Sequence, residues 1–235
     1  SGAIGILEWI LGTANFKGWS FAAVAVFMAV WLHHWRLENR EGQSTPETMA
    51  VRRFYLYVAS AVTLIIAAST LAQVTNAVLL GAYEALMGPA VLHPGESVPW
   101  NDTAREYLGT VLVSASVWAI NWLYFARRDV GSLLRSIYIN VLGIFGGIVT
   151  VLFALGFLIY GTLVWVFWVP DSIFASSHFR FLPGAVTSTI IGASIAIHHW
   201  MIASDEIGTR VGQVDPFRRS YAYVLAGIGL IGLAS

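Results

Sequence analysis

The sequence predicts an all-α membrane protein: a polytopic transmembrane helix bundle built from tandem two-helix repeats, with about six spans. Three observations predict this fold class. Of the 235 residues, 57% are hydrophobic and 11% are charged, against roughly 25% charged in an average soluble domain. The apolar residues form blocks of about 17–25 residues, long enough to cross a ~30 Å hydrocarbon core at ~1.5 Å per residue. A short motif also recurs three times at constant spacing.

The recurring motif is an arginine–tyrosine pattern at the start of an apolar block. It reads RRFYLYV at Arg52–Val58, RSIYINV at Arg135–Val141 and RRSYAYV at Arg218–Val224, so successive copies are 83 residues apart (135 − 52 and 218 − 135). A tryptophan or histidine pattern precedes each copy: WLHHW at Trp31–Trp35, WAINW at Trp118–Trp122 and IAIHHW at Ile195–Trp200. Two patterns that recur in the same order predict a repeated structural unit.

Each repeat is a pair of spans, in which helix a ends in the tryptophan pattern and helix b opens with the arginine–tyrosine pattern. The predicted spans are Gly18–Trp35, Phe54–Gly81, Tyr107–Phe125, Ile137–Val169, Gly184–Ile202 and Ser220–Ser235. Residues 1–17 are expected to end a preceding repeat. Repeats 1 to 3 then occupy 18–92, 93–173 and 174–235, the last with a shortened second span, and we expect further repeats of the same chain on both sides.

Local signals mark the helix starts and the helix contacts. Thr45 followed by Pro46 is a cap with proline at the first helical position, which predicts the start of the first b helix. Small residues recur at four-residue spacing at Gly143 and Gly147, and at Ser188, Gly192 and Ala196. Such stripes let membrane helices approach closely. We expect them to pack within the chain, with a homodimer face as the alternative.

The basic residues predict the orientation of the chain in the membrane. The loops that join a to b hold ten of them, and the opposite connections hold only Lys17, Arg105 and Arg180. An excess of Lys and Arg in short loops marks the cytoplasmic side. The sequence therefore predicts a multi-pass protein of the bacterial cell membrane with cytoplasmic a–b loops. Since the net charge is zero, no nucleic-acid partner is expected.

Two histidine pairs, His33-His34 and His198-His199, occupy matching places in the first and third repeats. Adjacent helical residues point ~100° apart, so one pair cannot hold one metal ion. One histidine from each of two helices, His34 and His199, could ligate haem or a chlorophyll-type pigment, because histidine is a standard axial ligand. The alternatives are histidines at the membrane interface and a pH sensor. No cofactor is predicted as required, and no metal site is predicted.

The remaining candidates are boundary residues. Trp35, Trp122 and Trp200 end the a helices, where an indole suits the headgroup level, and we interpret them as interface anchors. Arginine at a membrane boundary can bind lipid phosphate in bidentate fashion. The candidates for lipid or anion contact are Arg52, Arg53, Arg135, Arg218 and Arg219, with topology signal or pairing to loop acids as the alternative reading.

The HHW ends, the arginine-rich loops and the RRxYxY openings together resemble a bacterial family of repeated two-span membrane domains of unknown function. The second copy departs most, with Asn121, Ser136 and Asn140 in place of His, Arg and Tyr. The resemblance implies a multi-pass membrane fold and no activity.

The sequence does not indicate an enzyme, because it carries no nucleophile elbow, phosphate-binding loop, HExxH motif or paired carboxylates. We predict a non-enzymatic scaffold, sensor or complex subunit whose partners are membrane lipids and membrane proteins. One alternative is a transporter or channel for a weakly polar or lipidic solute. The other is a haem- or pigment-binding redox protein that uses His34 and His199.

Overall fold

A computed structural model describes residues 2–10, 12, 45–87, 102–126, 129, 132–168 and 174–208, with isolated positions between 18 and 36. Within these ranges the regular structure is helical and contains no strand. Long apolar segments adopt helices because a bilayer offers backbone groups no water to bond. The first elements are α1 (Gly2–Ile10), α2 (Pro46–Met87) and α3, which is α-helical over Asp102–Ala119 and π-helical over Ile120–Phe125.

The later elements contain a second π-helical segment. Helix α4 begins with Leu133–Ile137, passes through π-helical Tyr138–Phe145 and continues over Gly146–Phe167. A short helix, α5 (Ala175–His178), and a 3-10 turn (Phe179–Phe181) lead into α6 (Leu182–Gly208). Helix α2 has 42 residues, which is ~63 Å at 1.5 Å per residue. It therefore extends well beyond a ~30 Å hydrocarbon core.

Two helix starts are capped by hydroxyl side chains. The Thr45 Oγ1 accepts a hydrogen bond of 3.3 Å from the Thr48 N–H at the start of α2, which confirms the predicted cap. The Ser132 Oγ accepts one of 3.2 Å from the Arg135 N–H at the start of α4. Each bond satisfies a backbone donor that has no partner within the helix.

Four described helical segments are long and apolar enough to cross a membrane: Glu47–Met87, Tyr107–Phe125, Leu133–Phe167 and Ala175–Asp205. They correspond to the second to fifth predicted spans and are consistent with an integral membrane protein. The first predicted span falls where only isolated helical positions are described. The sixth, Ser220–Ser235, lies outside the described residues. The repeat boundaries and the six-span count remain predictions.

The helices pack mainly as two pairs. Helix α2 lies against α3, α4 lies against α6, and α2 also contacts α6. In both pairs the partners are joined by the connections that the sequence predicts to be extracytoplasmic. A buried cluster of apolar side chains from α2, α3 and α4 forms where the pairs meet. The arginine–tyrosine motifs of the first two repeats lie at this end of the bundle.

The contact between α4 and α6 is a close approach of glycines. A Cβ on Gly147 would lie 2.6 Å from the Gly192 carbonyl oxygen, and one on Gly192 would lie 2.8 Å from the Gly147 carbonyl oxygen. A Cβ on Gly147 would also lie 2.9 Å from the Cβ of Ala196. The predicted intrachain packing of these small residues is therefore confirmed at this crossing.

Candidate functional site: the motif cluster

The structure brings side chains from all three predicted repeats together at one end of the bundle. The participants come from the arginine–tyrosine motifs of repeats 1 and 2 and from the a-helix patterns of repeats 2 and 3. We call them the motif cluster: Tyr57, Trp118, Trp122, Arg135, Tyr138 and His199. All except Trp118, which is partly buried, are buried.

Both π-helical segments lie in this cluster. Trp122 belongs to the π-helical part of α3, and Tyr138 opens the π-helical part of α4. A π-helical turn is wider than an α-helical turn, and such turns are rare and frequently found at functional sites. Here they change the side-chain direction along the two helices just where the aromatic rings meet.

Arg135 joins α3 and α4 from inside the bundle. It is 4% exposed, and its Nη1 donates a hydrogen bond to the Ala126 carbonyl oxygen at the end of α3. Its guanidinium carbon also lies 5.2 Å from the ring centroid of Trp122, a cation–π geometry. The Ala126 carbonyl also accepts a hydrogen bond of 3.1 Å from the Asp129 N–H, so a carbonyl at the helix end has a backbone donor and a charged donor. The sequence predicted lipid or anion contact for this arginine, whereas the structure directs its Nη1 to the protein backbone.

Tyr138 is the centre of the aromatic contacts. The Trp118 Nε1–H donates a hydrogen bond of 2.8 Å to its hydroxyl oxygen. Its ring centroid lies 4.6 Å from that of Trp122 and 6.0 Å from that of Tyr57. Aromatic pairs in this range contribute about 0.5–1.5 kcal/mol beyond burial. One side chain therefore connects α2, α3 and α4.

His199 inserts from α6 into the same cluster. It is 1% exposed, and its ring centroid lies 5.5 Å from those of Trp122 and Tyr138. The ring also lies directly against the backbone of Gly143, where a Cβ would overlap it. Glycine at position 143 is therefore what lets the imidazole approach α4. The sequence suggested glycine packing here but did not link this glycine to the histidine.

The hydrogen bonding of His199 fixes its tautomer. Its Nδ1 lies 2.8 Å from the Ile195 carbonyl oxygen, and since a carbonyl only accepts, Nδ1 carries the proton. Nε2 then holds a lone pair. This atom is buried and has no hydrogen-bond partner among the described residues, and the same is true of the His198 Nε2.

A macrocycle does not fit beside His199 in this arrangement. Metal-ligating histidines commonly have this tautomer, in which one ring N–H donates to a backbone carbonyl and the other nitrogen is free to bind the metal. However, haem or chlorophyll ligation also needs open space at Nε2, and the surrounding side chains and backbone close that space. Ligation would require α6 to separate from α3 and α4. The second predicted ligand, His34, lies outside the described side chains.

An ionic link ties the first repeat to the loop of the second. The Arg53 Nε lies 2.8 Å from Asp129 Oδ1, and the Tyr57 hydroxyl donates a hydrogen bond of 3.0 Å to Asp129 Oδ2. Both α2 residues belong to the first arginine–tyrosine motif. The loop carboxylate therefore accepts from two motif side chains one helical turn apart. This agrees with the alternative in which the arginines pair with loop acids.

The predicted interface anchors lie in different environments. Trp122 is 2% exposed and packs inside the bundle, whereas the sequence predicted a ring among lipid headgroups. Inside the bundle the Trp122 ring packs against the Arg135 guanidinium and the Tyr138 ring, and these contacts explain its position. Trp200 is exposed, so its anchoring role remains a prediction.

Arg52, a predicted lipid or anion contact, is exposed at the start of α2. Three predicted residues lie outside the described ones: Trp35, Arg218 and Arg219.

Sequence reasoning missed Glu84. The predicted second span ended at Gly81, so the carboxylate was placed beyond it. Helix α2 continues to Met87, and Glu84 is buried with an Oε1 that has no hydrogen-bond partner among the described residues. The continuous apolar run through Val78–Gly81 and the alanines after it were the available signal for a longer helix.

Comparison with known proteins identifies a domain of unknown function and gives no activity. Residues 2–98 match the family described as "Domain of unknown function (DUF5671)". No curated protein and no solved structure matches the chain. The matched residues include the first copy of each recurring pattern and end before the second copies. The repeat and its bacterial origin therefore remain predictions, and the match agrees with a domain of unknown function.

Proposed function

We propose that this protein is a non-enzymatic scaffold of the membrane, a subunit of a larger complex that binds partner helices. The observation that carries this proposal is the use of the motif side chains. Arg135 bonds a helix end, Trp118 bonds Tyr138, and Arg53 with Tyr57 holds Asp129. The first two contacts join the two helices of the second predicted repeat, and the third joins the first predicted repeat to the second, so the recurring side chains bond helix to helix.

This use of polar residues favours a structural role. A reaction site needs reactive groups that a substrate can reach and that are free to change partners. In the motif cluster the polar groups are buried, and several are already bonded to protein. A rigid bundle end of this kind suits a protein that holds its outer helical faces in fixed positions for other membrane proteins.

The test is the state of the protein in native membranes. Mild detergent extraction followed by native gel electrophoresis should place it in a particle larger than the monomer, with membrane partners in fixed ratio. Reconstituted alone in proteoliposomes, it should pass no weakly polar or lipidic solute. Migration as a lone monomer together with solute flux would replace the scaffold with the transporter alternative.

The redox alternative is favoured by one observation, the unpartnered Nε2 lone pair of His199. An absorption spectrum of the purified protein, oxidised and then reduced with dithionite, tests it. A Soret band that shifts on reduction and is lost in His199→Ala would support ligation. The scaffold proposal expects only the 280 nm absorption of the aromatic residues.

A further inference from the structure

The other end of the α4–α6 pair is open where the motif-cluster end is closed. A groove of about 640 Å³ runs between α2, α4 and α6. Its lining includes buried small residues, Ala154 and Ala185, beside Gly184. Since these side chains are short, the three helices cannot fill the space between them. The volume lies within the ~300–1,000 Å³ range of small-molecule sites.

A second concavity adjoins the groove on α4. It measures about 620 Å³ and shares Val149, Phe153 and Phe157 with the first. Its centre is Gly156, where an added Cβ would meet nothing within 4 Å. The exposed rings of Phe153 and Phe157 thus form a ridge between two concavities of nearly equal size. The groove follows α4 from Val149 to Phe157, or ~12 Å, and the second concavity follows it from Phe145 to Tyr160, or ~22 Å.

One end of the groove carries a cation next to a group of aromatic side chains. Arg180 lies in the 3-10 turn before α6 and lines the groove. Its sequence neighbours His178, Phe179 and Phe181 have rings in mutual contact, and Trp165 packs against two of them. Tryptophan is enriched at the membrane–water interface. Among the described residues that line the groove, Arg180 is the charged one, and a positively charged lining suits an anion.

The segment that carries Arg180 is fixed in place. The His178 Nε2 donates a hydrogen bond of 2.8 Å to the Gly161 carbonyl oxygen, and the Phe181 ring occupies the space that a side chain at Gly161 would fill. Two contacts with α4 therefore flank Arg180 in the sequence. A guanidinium has five N–H donors, so it can bind a phosphate in addition to a protein partner.

We propose that this region binds one anionic diacyl glycerophospholipid, with its phosphate at Arg180 and one acyl chain on each side of the Phe153–Phe157 ridge. Both concavities open sideways from helices that can span a membrane, so acyl chains are the molecules that meet them. The site lies at the opposite end of α4 from the motif cluster and does not depend on the scaffold proposal.

The experiment is a lipid titration of the detergent-purified protein, read by native mass spectrometry. Dioleoyl phosphatidylglycerol should bind as one tightly held molecule, about tenfold or more tighter than dioleoyl phosphatidylcholine or one-chain lysophosphatidylglycerol. Arg180→Gln should weaken phosphatidylglycerol binding by about tenfold or more, because a charge-assisted phosphate contact is lost. The control Arg36→Gln makes the same change at an exposed arginine that does not line the groove, and it should bind as the wild type does.

Two matched pairs test the acyl-chain positions. Ser188→Phe fills the groove, whereas Ser194→Phe makes the same change at an exposed position of α6 outside it. Gly156→Phe fills the second concavity, and Ile159→Phe is its control at another exposed position of α4. Both filling changes should lower the affinity for the two-chain lipid, and both controls should leave it unchanged.

The proposal fails if Arg180→Gln binds phosphatidylglycerol within twofold of the wild type, or if filling and control variants bind alike. A second measurement avoids bulky changes. The chain has no cysteine, so a nitroxide on Ser188→Cys reports on one site. Phosphatidylglycerol should immobilise it and leave a nitroxide on Ser194→Cys unaffected, and equal responses at both positions would overturn the site.

Discussion

Helices α4 and α6 form a closed contact at one end and an open groove at the other. At the closed end, Gly147 and Gly192 meet backbone to backbone, and Gly143 receives the His199 ring. At the open end, Ala154 and Ala185 face a space that no side chain of the described residues fills. Small residues line both ends, so residue size alone does not decide the outcome. What differs is whether the neighbouring helix fills the space, either with its backbone, as at Gly147 and Gly192, or with a side chain, as His199 does at Gly143.

The comparison separates two uses of the same helix pair. The closed end holds buried polar groups whose bonds join helices, which makes it costly to rearrange. The open end keeps its aromatic ridge on the surface, where a lipid can cover it without any helix moving. A change at the closed end should therefore alter stability, and a change at the open end should alter lipid binding.

The largest predicted effect on stability is at the glycine crossing. Gly147→Leu places its side chain within 3 Å of the α6 backbone, so the helices must separate, and we expect a loss of about 3 kcal/mol or more in the free energy of unfolding. Gly156→Leu is the control, because its side chain enters open space on the same helix. Unfolding in mixed micelles measures both. Equal stability of the two variants would contradict the closed contact.

The next effect is at Arg135, and its control occupies the same place in the first repeat. Arg135→Met removes the charged donor to the Ala126 carbonyl and the cation–π contact with Trp122, while the bond from the Asp129 N–H remains. The loss should cost about 1–3 kcal/mol. Arg52→Met makes the same change at an exposed position and should change stability by less than about 0.5 kcal/mol. A similar loss of stability in both variants would show that the buried contacts of Arg135 do not account for its effect.

The sequence could predict features that depend on residues near one another in the chain, but not those that depend on helix packing. Apolar block length and caps depend on neighbouring residues along the chain, so four spans and the α2 start were predicted. Arg52 and Arg135 hold the same place in two copies of the predicted repeat, yet Arg52 is exposed and Arg135 is buried. This difference depends on which helix packs alongside. The same reason explains Trp122, which sits beside Arg135 and Tyr138 only after α3 and α4 have folded together. The π-helical segments have no residue signature in a single sequence.

A smaller effect is expected at the tyrosine of the same motif. Tyr138→Phe keeps the ring contacts but leaves the Trp118 N–H without its acceptor, which should cost about 1 kcal/mol. Tyr55→Phe is the matched control in repeat 1, because Tyr55 is 75% exposed. A loss confined to Tyr138→Phe, measured by unfolding in micelles, is the expected result. Equal stability of the two variants would show that the hydrogen bond between Trp118 and Tyr138 does not stabilise the motif cluster.

The smallest effect is at the ionic link between α2 and the loop after α3. Asp129→Asn removes the negative charge of the carboxylate that pairs with Arg53 and accepts from the Tyr57 hydroxyl. Since Arg53 is half exposed, we expect the free energy of unfolding to fall by about 0.5–1 kcal/mol. The part due to the Arg53 pair should shrink as salt rises, because solvent-exposed charges are screened, while the part due to the buried Tyr57 hydroxyl should remain. Unfolding of the wild type and of Asp129→Asn at low and high ionic strength separates the two. A difference that vanishes entirely in high salt would assign the link to Arg53 alone. One that does not change with salt would assign it to Tyr57, and so to the closed end of the bundle.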